Sequence, residues 1–343
     1  MTKQRILVVD DSPFVRRMMT DWIGAEPDME VVGVAKNGQE GVEMASVLKP
    51  DLVTLDVEMP VMSGLEALPL IVSGGTKVLM VSSVTQKGAA ATMEALEKGA
   101  FDFVAKPNNS SSLQFVECKA ETLEKIRAAR YVRALVSRKP VVAASRPMGR
   151  TDKVILIASS TGGPSTLRTL WEGLPKGFPA PIVIVQHMPA GFTESLAKRL
   201  DSTGTVPCRE AADGLPLVPG QAVLAPAGKH LVLDQHLHLR MTDEDRIHGV
   251  KPAADYLFNS AAKYLGSRSV GVVLTGMGRD GAAGAVEIRK AGGVVLGESQ
   301  ESCVIYGMPK AAKEAGGIDR EFDLAEMAAA IVATLTGKVA RAS

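Results

Sequence analysis

The first third of the chain alternates two hydrophobic patterns. Residues 6–9, 31–35, 52–55, 78–81 and 101–104 are short apolar runs rich in β-branched side chains, the mark of buried strands. Amphipathic stretches such as residues 13–23 and 38–48 lie between them. Strand–helix alternation of this kind predicts a parallel sheet covered on both faces. A helical pattern dense in Lys, Arg and Glu follows over residues 110–138, with Leu113, Val116, Leu123 and Ile126 as its expected buried stripe. Residues 139–151 then mix Pro, Ser, Ala and Arg without a period, which suits an exposed linker.

The alternation resumes with the run Val154-Ile155-Leu156-Ile157-Ala158, which ends in Ser159-Ser160-Thr161-Gly162-Gly163-Pro164. Leu167, Leu170, Trp171 and Leu174 then recur at helical spacing. A second buried run, 180–186, ends at His187-Met188-Pro189 before a helical stretch at 192–200. A third, 269–275, ends in Gly276-Met277-Gly278-Arg279-Asp280-Gly281 before a helix over 282–291. Between these lies a hairpin-like region with turns at Asp213-Gly214 and Pro219-Gly220 and short strands near Val223, Leu231 and Leu237. A final helix spans 324–335 and stops at Gly337. The pattern predicts two α/β units, residues 1–125 and 151–343, joined by a helix end and linker at 126–150.

Composition narrows the classes. The 343 residues are 46% hydrophobic and 22% charged, with a formal charge of +1, so nothing argues for a nucleic-acid or membrane surface. Aromatic residues, at 4%, are too scarce for base-stacking platforms. Cys118, Cys208 and Cys303 are odd in number and form no CxxC pair, consistent with a reducing compartment. With no signal-peptide core and no apolar run of membrane-spanning length, a cytoplasmic protein without direct membrane insertion is expected.

In open parallel sheets, ligands bind beyond the carboxyl ends of the strands. In the first unit those ends carry Asp10, Asp11, Asp56, Ser82 and Lys106. Three carboxylates converging in one crevice call for a hard divalent cation such as Mg²⁺. Asp56 then reads as a phosphoryl acceptor, with Ser82 and Lys106 on the phosphoryl oxygens. The alternative is that acidic loop residues only cap helices. Asp10-Asp11, Leu55-Asp56-Val57-Glu58-Met59-Pro60 with Gly64, Ser82-Ser83 and Lys106-Pro107 resemble the response-regulator receiver domain over about residues 3–125. The resemblance implies a flavodoxin-like five-stranded sheet and Mg²⁺-dependent phosphorylation of Asp56 by a histidine kinase. It further implies a metal contact from the main-chain carbonyl of Glu58, and Phe103 in place of the switch aromatic. The phosphate-side hydroxyl is assigned to Ser82, with Ser83 as the alternative.

In the second unit Ser160, His187 and Asp280 each follow a buried strand. One crevice at the strand ends would unite a nucleophile, a general base and an orienting carboxylate, with the Met277 N–H as oxyanion donor. Several alternatives stand beside this. The serines can simply cap a helix, His230 can be the base, and His236 with His238 can form one face of a strand able to hold a metal. The glycine turns can cradle a phosphate, although neither GxGxxG nor GxxxxGK[ST] follows a strand. There is no GxSxG elbow either, and the order Ser–His–Asp departs from α/β-hydrolases.

The motifs Ser159-Ser160-Thr-Gly-Gly, Gln186-His187-Met-Pro, Thr275-Gly-Met-Gly-Arg-Asp280-Gly and Ser302-Cys-Val-Ile-Tyr-Gly-Met-Pro309 closely resemble the chemotaxis protein-glutamate methylesterase family of CheB type. That family joins a receiver to a doubly wound α/β/α catalytic domain in this order. The resemblance implies Ser160, His187 and Asp280 as a triad that needs no cofactor. It also implies hydrolysis of glutamate methyl esters, and deamidation of glutamines, on chemoreceptors (methyl-accepting chemotaxis proteins). The unphosphorylated receiver is expected to cover the catalytic crevice, and phosphorylation of Asp56 to loosen that contact. A regulator whose second domain only binds a partner is the rival. A DNA-binding output fits less well, for no basic helix-turn-helix pattern is present.

Overall fold

The computed structural model describes residues 2–107, 112–132, 149 and 151–337. The chain divides into two compact units, Met1–Val132 and Arg133–Ser343.

In the first unit, strands β1 (Gln4–Val9), β2 (Met29–Ala35), β3 (Leu52–Asp56), β4 (Lys77–Ser82) and β5 (Asp102–Ala105) alternate with helices α1 (Pro13–Gly24), α2 (Gly38–Leu48), α3 (Gly64–Ser73), α4 (Gln86–Glu97) and α5 (Ser112–Ala128). The sheet order is β2-β1-β3-β4-β5 and every pairing is parallel. The inner strands are mainly apolar because both faces are covered, and all five residues of β3 are buried, whereas the edge strand β2 is largely half-buried. Local chemistry starts the helices. Ser12 caps α1 ahead of Pro13, Asn37 caps α2, and Ser63 with Glu66 forms a capping box on α3. The order of the strands reverses between β1 and β3, so the crevice expected at such a point opens beyond their ends.

The α5 stripe needs one correction. Leu123 and Ile126 are buried in the core, but Val116 is 61% exposed. Its neighbour Phe115 packs edge-on against Trp22 instead, and one residue further along a helix turns about 100° away. The side chain of Leu113, the linker at 139–148 and the boundary residue Arg150 lie outside the described residues.

The second unit contains β6 (Val154–Ser159), α6 (Gly163–Gly173), β7 (Ile182–Gln186), α7 (Thr193–Thr203), β8 (Cys208–Glu210), β9 (Ala222–Leu224), β10 (His230–Leu233), β11 (Leu239–Thr242), α8 (Ala254–Leu265), β12 (Ser269–Val273), α9 (Ala282–Lys290), β13 (Val294–Glu298), α10 (Met308–Glu314), β14 (Arg320–Phe322) and α11 (Leu324–Leu335). Seven strands form one parallel sheet, β14-β13-β12-β6-β7-β9-β8. An antiparallel hairpin, β10-β11, packs Leu231, Leu233 and Leu239 into the core that also takes Leu257, Phe258 and Ala261 of α8.

The hairpin expected near Val223, Leu231 and Leu237 is therefore smaller than its sequence pattern suggested. Val223 belongs to β9 in the main sheet. Leu237 lies in the hairpin turn with a left-handed φ of 60°, so the returning strand begins at Leu239. His236 sits in that same turn, which removes the expected strand face shared by His236 and His238. Strands β8, β13 and β14 and helices α8 and α10 were not anticipated from the pattern.

Candidate active site and phosphorylation site

Ser160 and His187 stand side by side because their strands do. In the β6–β7 register Ser159 pairs with Gln186, so the next residue on each strand emerges at the same level. The His187 N–H donates to the Ser159 carbonyl at 3.1 Å, and the Ser160 N–H donates to the Thr275 carbonyl at 3.0 Å. The turn after β12 thus flanks Ser160 on its other side. Gln186, buried, ties the two strand ends together. Its Nε2 donates to the carbonyls of Ser160 and His187 at 2.9 and 2.8 Å.

The two serines differ in kind. Ser159 is buried and its hydroxyl donates to Gln186 Oε1 at 2.6 Å. Ser160 is half-buried, and its Oγ has no hydrogen-bond partner among the described residues. The turn requires glycine at two points. Gly162 has φ 76° and Val304 packed against it, and a Cβ on Gly163 would lie 1.9 Å from Gln186 Oε1.

His187 Nε2 lies 2.7 Å from Asp280 Oδ2. With Nε2–H donating to the carboxylate, the lone pair of the neutral imidazole is on Nδ1. Asp280 is almost fully buried, and its four acceptor directions are filled. Oδ2 takes the His187 ring and the Ala254 N–H at 2.6 Å, while Oδ1 takes the N–H groups of Asp255 and Gly281, each at 3.0 Å. Burial works to raise the Asp280 pKa. The His187 hydrogen bond and charge and the Ala254 and Asp255 amides outweigh it and hold the carboxyl below its ordinary range. The nearby His248–Asp255 pair, 3.0 Å apart, brings a third group within 4.8 Å of Asp280. Asp280 has no lone pair left for a cation there.

The Gly276 carbonyl accepts from the Gly307 and Met308 N–H groups at 3.1 and 2.8 Å. In a trans peptide the N–H points opposite to the C=O, so the Met277 N–H faces away from residues 307–308. It makes none of the loop hydrogen bonds. His230, the other candidate base, is committed. Its Nδ1 accepts the Ala253 N–H at 3.0 Å, its Nε2 donates to the Asp245 carbonyl at 3.1 Å, and burial lowers its pKa.

In the first unit Lys106 Nζ lies 2.9 Å from Asp10 Oδ2 and 2.8 Å from Asp56 Oδ2. Burial, with the Asp10 charge adding to it, pushes Asp56 up to about 6 despite Lys106. One oxygen from each of Asp10, Asp11 and Asp56 falls within 4.8 Å of the others. Asp10 Oδ2 is buried with no hydrogen bond, only the ionic contact with Lys106. A set of hard oxygen donors with an unsatisfied buried member fits Mg²⁺. The side chain of Glu58 pairs with Lys87 at 2.7 Å. Ser82 ends β4 one residue beyond the partner of Asp56, but its buried hydroxyl turns to the Gly88 carbonyl at 3.2 Å. Phe103 is buried, with Lys125 Nζ 5.2 Å from its ring centroid.

Sequence reasoning missed the roles of Gln186, of the Thr275 backbone and of the amides that open α8. The Leu257, Phe258, Ala261 and Leu265 spacing was the signal available for that helix.

Residues 155–331 match the family model described as CheB methylesterase, and residues 6–115 match the response regulator receiver domain. A Thermotoga maritima protein-glutamate methylesterase/protein-glutamine glutaminase is 47% identical over 92% of this chain and 94% of its own length. A Bacillus subtilis protein of the same name is 42% identical over 95% of this chain and 97% of its own. The crystal structure of the Thermotoga maritima CheB methylesterase catalytic domain superposes with a TM-score of 0.52 and 40% identity, covering 56% of this chain and all of that one. Fold, strand-end chemistry and full-length similarity agree, and the chain belongs to the CheB methylesterase family, with a response-regulator receiver domain ahead of the catalytic domain.

Proposed function

We propose that this chain is a phosphorylation-regulated hydrolase that demethylates glutamate γ-methyl esters on chemoreceptors and deamidates receptor glutamines, with Ser160, His187 and Asp280 as its catalytic residues. The observation that carries this reading is the part-buried 2.7 Å pair of His187, which follows β7, and Asp280, which lies beyond β12, these being the two strands that flank β6 and its unpartnered Ser160 hydroxyl. His187 Nδ1 takes the Ser160 proton as Oγ attacks the ester carbonyl. The oxyanion forms at the Met277 N–H. Collapse expels the methoxy group, which leaves as methanol with the proton returned by His187, and an acyl-serine remains. Water, deprotonated by the same imidazole, releases the glutamate carboxylate. With a glutamine substrate the leaving group is ammonia and the remaining steps are unchanged. Asp280 holds the ring and balances the imidazolium charge.

In the receiver, Asp10, Asp11, Asp56 and the main-chain carbonyl of Glu58 would hold Mg²⁺, which neutralises charge on a phosphoryl group when bound. Asp56 accepts that group from a histidine-kinase phosphodonor. Lys106 and Ser82 receive its oxygens, for which Ser82 must leave the Gly88 carbonyl. Among the described residues no helix is long and apolar enough to cross a membrane.

Incubating the protein with methylated receptor membranes, with and without a small phosphodonor and Mg²⁺, tests the reading. Methanol release that rises with the phosphodonor and disappears in Ser160→Ala is the expected result. A protein that binds the membranes but releases no methanol under either condition is a binding module, and the reading fails.

A further inference from the structure

The carboxyl of Glu298 takes no part in the chemistry above, yet it bonds the turn after β12 that flanks Ser160. Glu298 ends β13 and is 0% exposed. Its Oε2 accepts the Thr275 N–H at 2.8 Å, and the Thr275 carbonyl accepts the Ser160 N–H at 3.0 Å. The backbone of one residue therefore joins this carboxyl to the amide of the nucleophile, two positions before Met277. The Thr275 hydroxyl braces the same point. It donates to the Thr161 carbonyl at 3.1 Å and accepts the Ile305 N–H at 2.9 Å.

The second oxygen of Glu298 faces a chain of hydroxyls. Oε1 is 3.2 Å from Ser302 Oγ, which is 3.3 Å from Ser299 Oγ, and Ser299 in turn donates to Asp323. The Leu324 N–H donates to Ser302 Oγ at 3.0 Å, leaving the Ser302 proton to point either way along the chain. The titratable groups that act on the Glu298 carboxyl are Asp323 ahead of α11 and the buried Cys303 thiol, whose Sγ also lies 3.8 Å from the Glu298 main-chain carbonyl. No cation pairs with Glu298 among the described residues. Burial is the main reason its carboxyl is pushed up to about 7, and the Asp323 charge works in the same direction against the Thr275 and Ser302 hydrogen bonds.

We infer that Glu298 is a positioning residue of the hydrolytic site, acting through the Thr275 backbone to fix where the Ser160 and Met277 amides stand. The inference rests on the reading of Ser160 as nucleophile. A carboxyl that accepts the Thr275 N–H and gives its own proton to Ser302 satisfies every group in the chain. Removing it leaves a buried N–H without a partner next to the nucleophile. Ionising it places an uncompensated negative charge at the Thr275 amide, two residues from the Met277 amide where the reaction must build another.

The test is the second-order rate of fluorophosphonate labelling of the full chain, read by intact mass, in Glu298→Gln and Glu298→Leu. Glutamine supplies the same acceptor and donor, so its rate at pH 6.5 is expected within about threefold of the parent, with leucine slower by about tenfold or more. Leucine as fast as the parent, or glutamine as slow as leucine, overturns the inference. If the leucine variant does not fold, the ratio of parent to glutamine rates across pH 5–9 decides the matter. Only the parent titrates here, so the ratio should fall as pH rises through about 7, and a constant ratio overturns the inference. Labelling that persists in Ser160→Ala overturns the nucleophile reading and this inference with it.

Discussion

Asp255 and Asp280 cap each other's helices. Asp280, just ahead of α9, accepts the Ala254 and Asp255 N–H groups that open α8. Asp255, in the first turn of α8, accepts the Gly284 N–H in the first turn of α9 at 2.7 Å. Neither helix has a side-chain cap from its own N-cap residue, Ala253 or Gly281. The carboxylate that faces His187 is thus fixed by two helix termini, whose dipoles favour its negative charge. One side chain bonds the imidazole and joins two helices.

Two substitutions separate those tasks. Asp280→Asn keeps the shape but offers one acceptor oxygen in place of two and turns an N–H₂ toward a helix end or toward His187. Ester hydrolysis should fall on the order of 10³–10⁴-fold with a lower melting temperature. Asp255→Ala leaves the imidazole contact in place and should cost about 1–2 kcal/mol of catalytic-unit stability, with a much smaller loss of kcat. Melting curves and kcat/KM on the same samples check both. Equal kinetic losses would show that the cap, not the carboxylate, governs the rate.

The adjacent serines should respond in opposite ways. Ser160→Ala removes the hydroxyl proposed to attack and should lower the rate by about 10⁴-fold or more with the fold intact. Ser159→Ala removes the buried bond to Gln186 Oε1. It should cost about 1 kcal/mol of stability and only a small part of the activity. Steady-state kinetics beside thermal melts distinguish the two patterns.

The receiver should bind its cation in a pH-dependent way. With its pKa near 6, Asp56 is neutral at pH 5 and charged at pH 7, so a cation competes with a proton at the lower pH. Mg²⁺ affinity, measured by titration calorimetry, should rise between pH 5 and 7 and level off above. Chelation should abolish phosphorylation of Asp56 from a small phosphodonor. The raised pKa also sets the sign for stability without metal. The folded state holds a proton that the unfolded chain has lost, so receiver stability falls as pH rises from about 4 to about 6. Asp56→Asn should flatten that slope.

Much of this was legible in the residues. Strands β3, β6, β7 and β12 are buried along their whole length, so each reads as a mainly apolar run. Polar residues at their carboxyl ends then mark the sites. The short edge strands were hidden because three residues, as at Cys208–Glu210 and Arg320–Phe322, carry no period. Helix α8 does carry one, but it follows a hairpin and a proline, and its part in holding Asp280 depends on a partner 26 residues away. Val116 was misplaced because a charged helix offers two plausible stripes, and packing against Trp22 chose the other. Gln186 and Glu298 are ordinary polar letters until the sheet order puts them behind Ser160.

The most direct test of the account is where a fluorophosphonate adduct forms. Peptide mapping of the labelled full-length protein should find the added mass on Ser160 alone, retained in Ser159→Ala and lost in His187→Gln. An adduct on Ser159, or vigorous ester hydrolysis by a protein in which Ser160 stays unmodified, would contradict it.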